Sequence, residues 1–303
     1  MKRRLILPVI LLSLAVFSGC GKNTHGPEDG TEAVEEVKEP PAPGEENWGT
    51  APDYTAPMIT STSIRSLSVN VGRTEEEVNL TWFSPMEEAG QVEWTTAEDT
   101  EFEKAVTFEA SVTTSEVTSG YYVNRATVTG LLPETEYQYR VGGGEAVSPA
   151  YPYTTPAFSD TFRFVAVGDA QLGKPVEELN KQKSNWHRLL SKVMYHFPDA
   201  AFLVSLGDQV NDFDDGEEYS AFLDQGALYS LSLAPVKGNH DVGGPQFSEH
   251  FTLPVQSELG TCDDDGDGDY WFTRGNALFL VLDTMDAAKW GEHKEFIASA
   301  VEA

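Results

Sequence analysis

From about Tyr54 to Pro156 apolar and polar residues alternate in short runs separated by turn residues. Ser66–Val71, Val78–Phe83, Gln91–Trp94, Arg125–Thr129 and Tyr137–Val141 each place every second side chain on one face. A period of two predicts strands, and short strands at this spacing predict an all-β sandwich. After Pro156 the period changes. Phe162–Val167 reads as a strand ending in Gly168-Asp169-Ala170-Gln171, and Trp186, Leu189, Leu190, Val193, Met194 and Phe197 then recur at helical spacing. Ala201–Leu206 reads as a buried strand ending in Gly207-Asp208. A helix-like stretch with Tyr219, Phe222, Leu223 and Leu228 follows, and Ala234–Lys237 leads into Gly238-Asn239-His240-Asp241. Tyr270–Arg274 and Ala277–Leu282 read as strands joined at Gly275-Asn276, and Trp290–Val301 as a helix. Strands alternating with helices predict an α/β layered domain. The expected organisation is a sandwich over 53–156 and a layered domain over 160–303.

The start of the chain adds an address. Lys2, Arg3 and Arg4 precede an apolar stretch from Leu5 to Phe17, which closes on Ser18-Gly19-Cys20. This is a secretory leader, and the small residues before Cys20 resemble a bacterial lipobox, so 1–20 is read as a lipoprotein signal peptide with Cys20 lipidated. Acyl chains there would anchor the protein extracytoplasmically, at about 0.8 kcal/mol per buried methylene. Residues 21–52 hold eight acidic residues and five prolines. Self-repulsion and scarce apolar surface predict an extended, disordered stalk.

The 303 residues carry a net charge of −29, which argues against nucleic-acid binding. Only Cys20 and Cys262 occur, so there is no disulfide scaffold and no cysteine-rich metal site, and Cys262 reads as a small buried hydrophobe.

The chemistry lies where the strands of the second domain end. Three successive strands run into Asp169, Asp208 and Asn239-His240. In open α/β sheets ligands bind outside the carboxyl ends of the strands. Oxygen donors gathered there suit hard or borderline cations. One Gly-Asp after a strand is an ordinary capped turn. Three in order, the last being Gly-Asn-His-Asp, point to metal. Cations held there would also let so acidic a protein attract an anionic substrate.

The series Gly-Asp-x-Gln, Gly-Asp, Gly-Asn-His-Asp resembles the calcineurin-like metallophosphoesterases. The run Gly130-Leu131-Leu132-Pro133-Glu134-Thr135-Glu136-Tyr137, followed by Gln138-Tyr139-Arg140-Val141-Gly142, resembles fibronectin type III domains and, more closely, the N-terminal domain of purple acid phosphatases. The resemblance implies a tyrosine at the strand corner, matching Tyr137. It implies two metal ions (Fe, Mn or Zn), with Asp208 bridging both, Asp169 on one and Asn239 on the other. It further implies that His240 acts on the phosphate, and Asp241 is read as orienting His240.

The chain departs from that pattern in two places. Asn211 stands where purple acid phosphatases have a tyrosine, and Gln171 stands where other metallophosphoesterases have a histidine. The amide oxygen of either can serve as a hard ligand, and Gln171 reads equally well as a hydrogen-bonding neighbour. The family's later histidines, a single one and then a Gly-His-x-His, have no match. His25, His187, His196, His250 and His293 read as surface or packing residues. The expectation is therefore a chain cut before its last metal loops and inactive as it stands. The acidic run Asp263–Asp269 matches the start of an EF-hand loop, but Arg274 stands at the twelfth position, so it reads as an exposed acidic turn. The expected activity is phosphoric ester hydrolysis. The competing expectation is a non-catalytic surface-binding lipoprotein with a degenerate or truncated phosphoesterase domain.

Overall fold

The computed structural model describes residues 63–261 and 268–303. Cys20, the 21–52 stalk and Asp263–Asp267 lie outside the described residues. No helix among those described is long and apolar enough to cross a membrane.

The alternating runs form strands β1 (Arg65–Val71), β2 (Glu77–Ser84), β3 (Gln91–Thr96), β6 (Tyr122–Thr129) and β7 (Glu136–Gly143). Between and after them lie β4 (Val106–Glu109), β5 (Ser111–Thr114), β8 (Ala146–Val147) and β9 (Tyr151–Thr154). One sheet face is β1-β2-β6-β5 and the other β4-β3-β7-β8, with β9 also on β7. Inward side chains of the two, including Leu80, Trp82, Trp94, Val128 and Tyr139, make one core. Tyr137 closes the corner as expected, its phenol oxygen accepting the Leu132 N–H at 2.9 Å.

The second half supplies β10 (Arg163–Val167), α1 (Leu179–His196), β11 (Ala200–Ser205), α2 (Gly216–Leu223), β12 (Leu233–Pro235) and α3 (Gln246–His250). Then come β13 (Tyr270–Arg274), β14 (Ala277–Val281) and α4 (His293–Glu302). Strands β10, β11 and β12 are parallel neighbours. Phe202, Leu203, Trp186, Phe222 and Phe272 belong to a second core around them. The two halves share a sheet: β12 pairs in parallel with β1, giving the order β10-β11-β12-β1-β2-β6-β5.

That junction explains a departure from the alternating pattern. β1 and β2 are buried on both faces. Their polar positions meet partners from the second half: Ser66 bonds Ser220, Thr81 bonds Thr252, and Asn70 accepts the Thr252 N–H and donates to the Leu233 carbonyl. Buried polar groups are tolerated when hydrogen-bonded. Glu249 of α3 adds two bonds of 2.7 Å, accepting from the Ser115 hydroxyl and the Glu116 N–H in the β5–β6 loop.

Three local expectations are corrected. The helix predicted from Trp290 begins at His293. The helical stretch through Leu228 is α2 ending at Leu223, then a short 3-10 turn at Gly226–Tyr229. Asp269, read as part of an exposed turn, is fully buried, because its carboxylate accepts both the Asp283 N–H (2.9 Å) and the His293 Nδ1–H (2.6 Å).

Candidate metal centre at the carboxyl edge of the parallel strands

The register of the parallel strands places the three motifs side by side. Val167 is opposite Ser205, and Ser205 opposite Pro235. The chain leaves each strand within a few residues of Asp169, Asp208 or Asn239. The loops interlock. Asp169 N–H donates to the Gly207 carbonyl (3.3 Å) and Gln171 N–H to the Asp208 carbonyl (2.7 Å). Leu172 bridges Val210, and Asn211 N–H returns to the Leu172 carbonyl at 2.8 Å. The second and third loops touch so closely that a Cβ on Gly238 would sit 2.2 Å from Asp208 Oδ1.

Asp169, Gln171 and Asp208 all have positive φ, at 51°, 39° and 49°. Left-handed backbone at non-glycine residues is costly and clusters at functional sites. Asp169 and Asn239 are exposed, while Asp208 is buried. Asp208 Oδ1 accepts the His240 N–H at 2.9 Å, which fixes the third loop on the second.

His240 is oriented differently from expectation. Its Nδ1 lies 2.6 Å from the carbonyl oxygen of Asn211. A carbonyl only accepts, so Nδ1 carries a proton and Nε2 is the ring nitrogen left to face the site. Asp241 does not perform this orienting task. Its carboxylate is fully buried beneath the loop and accepts the Gly238 N–H (2.8 Å) and the Gln209 N–H (3.1 Å). Burial, with the nearby Asp208 charge adding, pushes the Asp241 carboxyl up to about 7 against those hydrogen bonds.

The donor chemistry of Asp169, Asp208, Asn239 and Gln171 fits a hard cation, since every donor is oxygen. Among the described residues no three His, Cys, Asp or Glu side chains are grouped to hold a metal ion. The other described histidines lie elsewhere. His250 is buried between Phe83 and Tyr219, with ring centroids at 4.6 and 4.4 Å, and His293 is buried against Asp269. His187 and His196 on α1 are half-buried. Gln171 contributes backbone bonding to this edge, as does Asn211, whose carbonyl role no side-chain motif encodes.

Residues 64–165 match the family model of the purple acid phosphatase N-terminal domain. Comparison with curated proteins finds no match. Among solved structures, purple acid phosphatase PPD1 from yellow lupin (Lupinus luteus) seeds aligns with a TM-score of 0.60 at 17% identity, over 80% of this chain and 48% of its own. PhoD aligns with a TM-score of 0.46 at 16% identity, over 77% of this chain and 53% of its own. The chain thus spans about half the length of these two structures. It resembles the purple acid phosphatases, with their N-terminal domain over 64–165 and a fold similar to that of the lupin phosphatase.

Proposed function

We propose that the full protein is a metal-dependent phosphoric ester hydrolase, acid phosphatase-like, anchored outside the bacterial membrane by lipid on Cys20. The observation that carries this reading is the parallel register of β10, β11 and β12, which sets Asp169, Asp208 and Asn239-His240 at one sheet edge. Asp169, Asp208 and Asn239 would hold two metal ions, with Gln171 as a further oxygen donor. Such ions supply positive charge toward the phosphate and activate water for in-line attack.

The chain's own groups do the rest. Asp208 braces the third loop through the His240 N–H. Asn211 holds His240 so that Nε2 is free, and protonated at that atom His240 donates to a phosphate oxygen or to the leaving group. Asp241 keeps the Gly238 turn closed on Gln209. The substrate is a small phosphoester, drawn to the site despite the net charge of −29. The second reading, a non-catalytic surface lipoprotein, is favoured by Gln171 and Asn211, which stand where stronger ligands would be.

The test separates holding metal from using it. In the full-length protein Asp208→Ala should lose metal by elemental analysis together with hydrolysis of an activated phosphoester. His240→Ala should keep most of its metal and lose roughly 10²–10⁴-fold in kcat. A metal-loaded wild type with no hydrolysis of monoesters or diesters would establish the non-catalytic reading. Location is tested by fractionation. Cys20→Ser should leave the membrane fraction or remain unprocessed, and unchanged fractionation would refute lipidation.

A further inference from the structure

Glu218 lies on α2, ten positions beyond Asp208, and no motif marks it. It is 2% exposed, a rare setting for a carboxylate outside an ion pair. Its Oε2 accepts the N–H of Asn211 at 2.9 Å and of Asp212 at 2.8 Å. On its other side the chain carries Gly173, in the loop that follows Asp169 and Gln171. A Cβ on Gly173 would meet Glu218 Oε1 at 1.7 Å, and its φ is +106°. Only a residue without a side chain admits the carboxylate there. The helix is itself fixed by Asp215, whose side chain accepts the N–H groups of Glu217 and Glu218.

We infer that Glu218 is a positioning residue: one buried carboxylate, packed against Gly173 of the loop after Asp169, braces the loop after Asp208, and through the Asn211 carbonyl it sets the tautomer of His240. The path is short. By accepting the Asp212 N–H the carboxylate fixes the Asn211–Asp212 peptide, and the carbonyl of that same peptide, Asn211 C=O, holds Nδ1–H of His240 at 2.6 Å. Charge-assisted bonds to two successive N–H groups are stronger than neutral ones, so the peptide plane has little freedom to turn. Outer residues that orient working groups in this way typically change activity by about 10–100-fold. The inference rests on the phosphoester reading only for its effect on rate. The tautomer is a property of the folded chain.

The test is nitrogen-15 NMR of histidine-labelled full-length protein without metal, with the His240 signals assigned by their loss in His240→Gln. Wild type should show protonated Nδ1 and unprotonated Nε2. Glu218→Gln, whose amide oxygen can accept the same two bonds, should retain that pattern. Glu218→Ala, and Glu218→Asp with its carboxylate one methylene short, should show mixed tautomers at His240 with the His250 signals unmoved. In the metal-loaded protein the last two should lose about 10–100-fold in kcat while Glu218→Gln stays close to wild type. An unchanged His240 pattern in a folded Glu218→Ala overturns the inference. If the alanine variant does not fold, the aspartate variant decides by the same criterion. A wild type that hydrolyses nothing overturns the function proposed above and leaves the tautomer comparison standing.

Discussion

His250 shows how a residue without a motif acquires a specific physical role. It is buried, flanked by Phe83 of β2 and Tyr219 of α2, and its Nδ1 donates to the Gln246 carbonyl at 2.7 Å. Burial pulls its pKa from the ordinary 6.5 down to about 4, and the positive charge of Arg125 pulls the same way. The folded state therefore binds this proton less well than the unfolded chain. The stability tied to neutral His250 is complete above pH 6.5 and is lost as pH falls from 6.5 toward 4, at about 1.4 kcal/mol per pH unit. The integrated effect is on the order of 3 kcal/mol. His250→Phe keeps an aromatic ring and cannot be protonated. Its melting temperature relative to wild type should therefore improve steadily between pH 7 and pH 4.5. A gap that stays constant over that range would exclude His250 as the titrating group. At this scale the site was partly legible. Asp169, Asp208, Asn239 and His240 follow strands in a recognisable series, but the group that orients His240 is a backbone carbonyl, which carries no residue identity.

At the scale of elements, periodicity identified what one-sided burial creates. β3, β6 and β7 alternate because one face meets the sandwich core and the other is more open. β4 and β5 leave no such signal because they are mostly exposed, with little apolar rhythm. β1 and β2 also alternate, yet both of their faces are covered. Their polar side is satisfied by hydrogen bonds from Ser220, Leu233 and Thr252, residues more than 150 positions away in the chain. No local window contains those partners. The parallel strands were legible for the opposite reason, since β11 is buried almost throughout and reads as one apolar run. Their mutual register, which makes a site of three separate turns, depends on loops interlocking at Gly207 and Gly238 and becomes visible only in three dimensions.

At the scale of the whole molecule, the division at Pro156 marks a change of pattern across a continuous sheet. β12 extends the parallel strands onto β1, and the segment before it enters the other core. Tyr229, in the 3-10 turn between α2 and β12, is fully buried among sandwich residues and packs on Tyr151 at 4.6 Å. Its carbonyl accepts the Tyr139 hydroxyl at 2.8 Å, and Ser232 bonds the Tyr153 hydroxyl at 2.7 Å. The turn that delivers β12, and with it Asn239 and His240, is thus held by the sandwich. Two halves sharing core residues and a sheet should melt together. Tyr229→Ala removes a large buried aromatic and should cost about 3–5 kcal/mol, the range for such cavities. For a unit of this size that is a fall on the order of 10 °C in melting temperature. Because Tyr229 belongs in sequence to one half and in packing to the other, calorimetry of the variant should show one transition displaced as a whole. A second transition left at the wild-type temperature would mean that the halves fold independently, and that the sandwich does not position the centre.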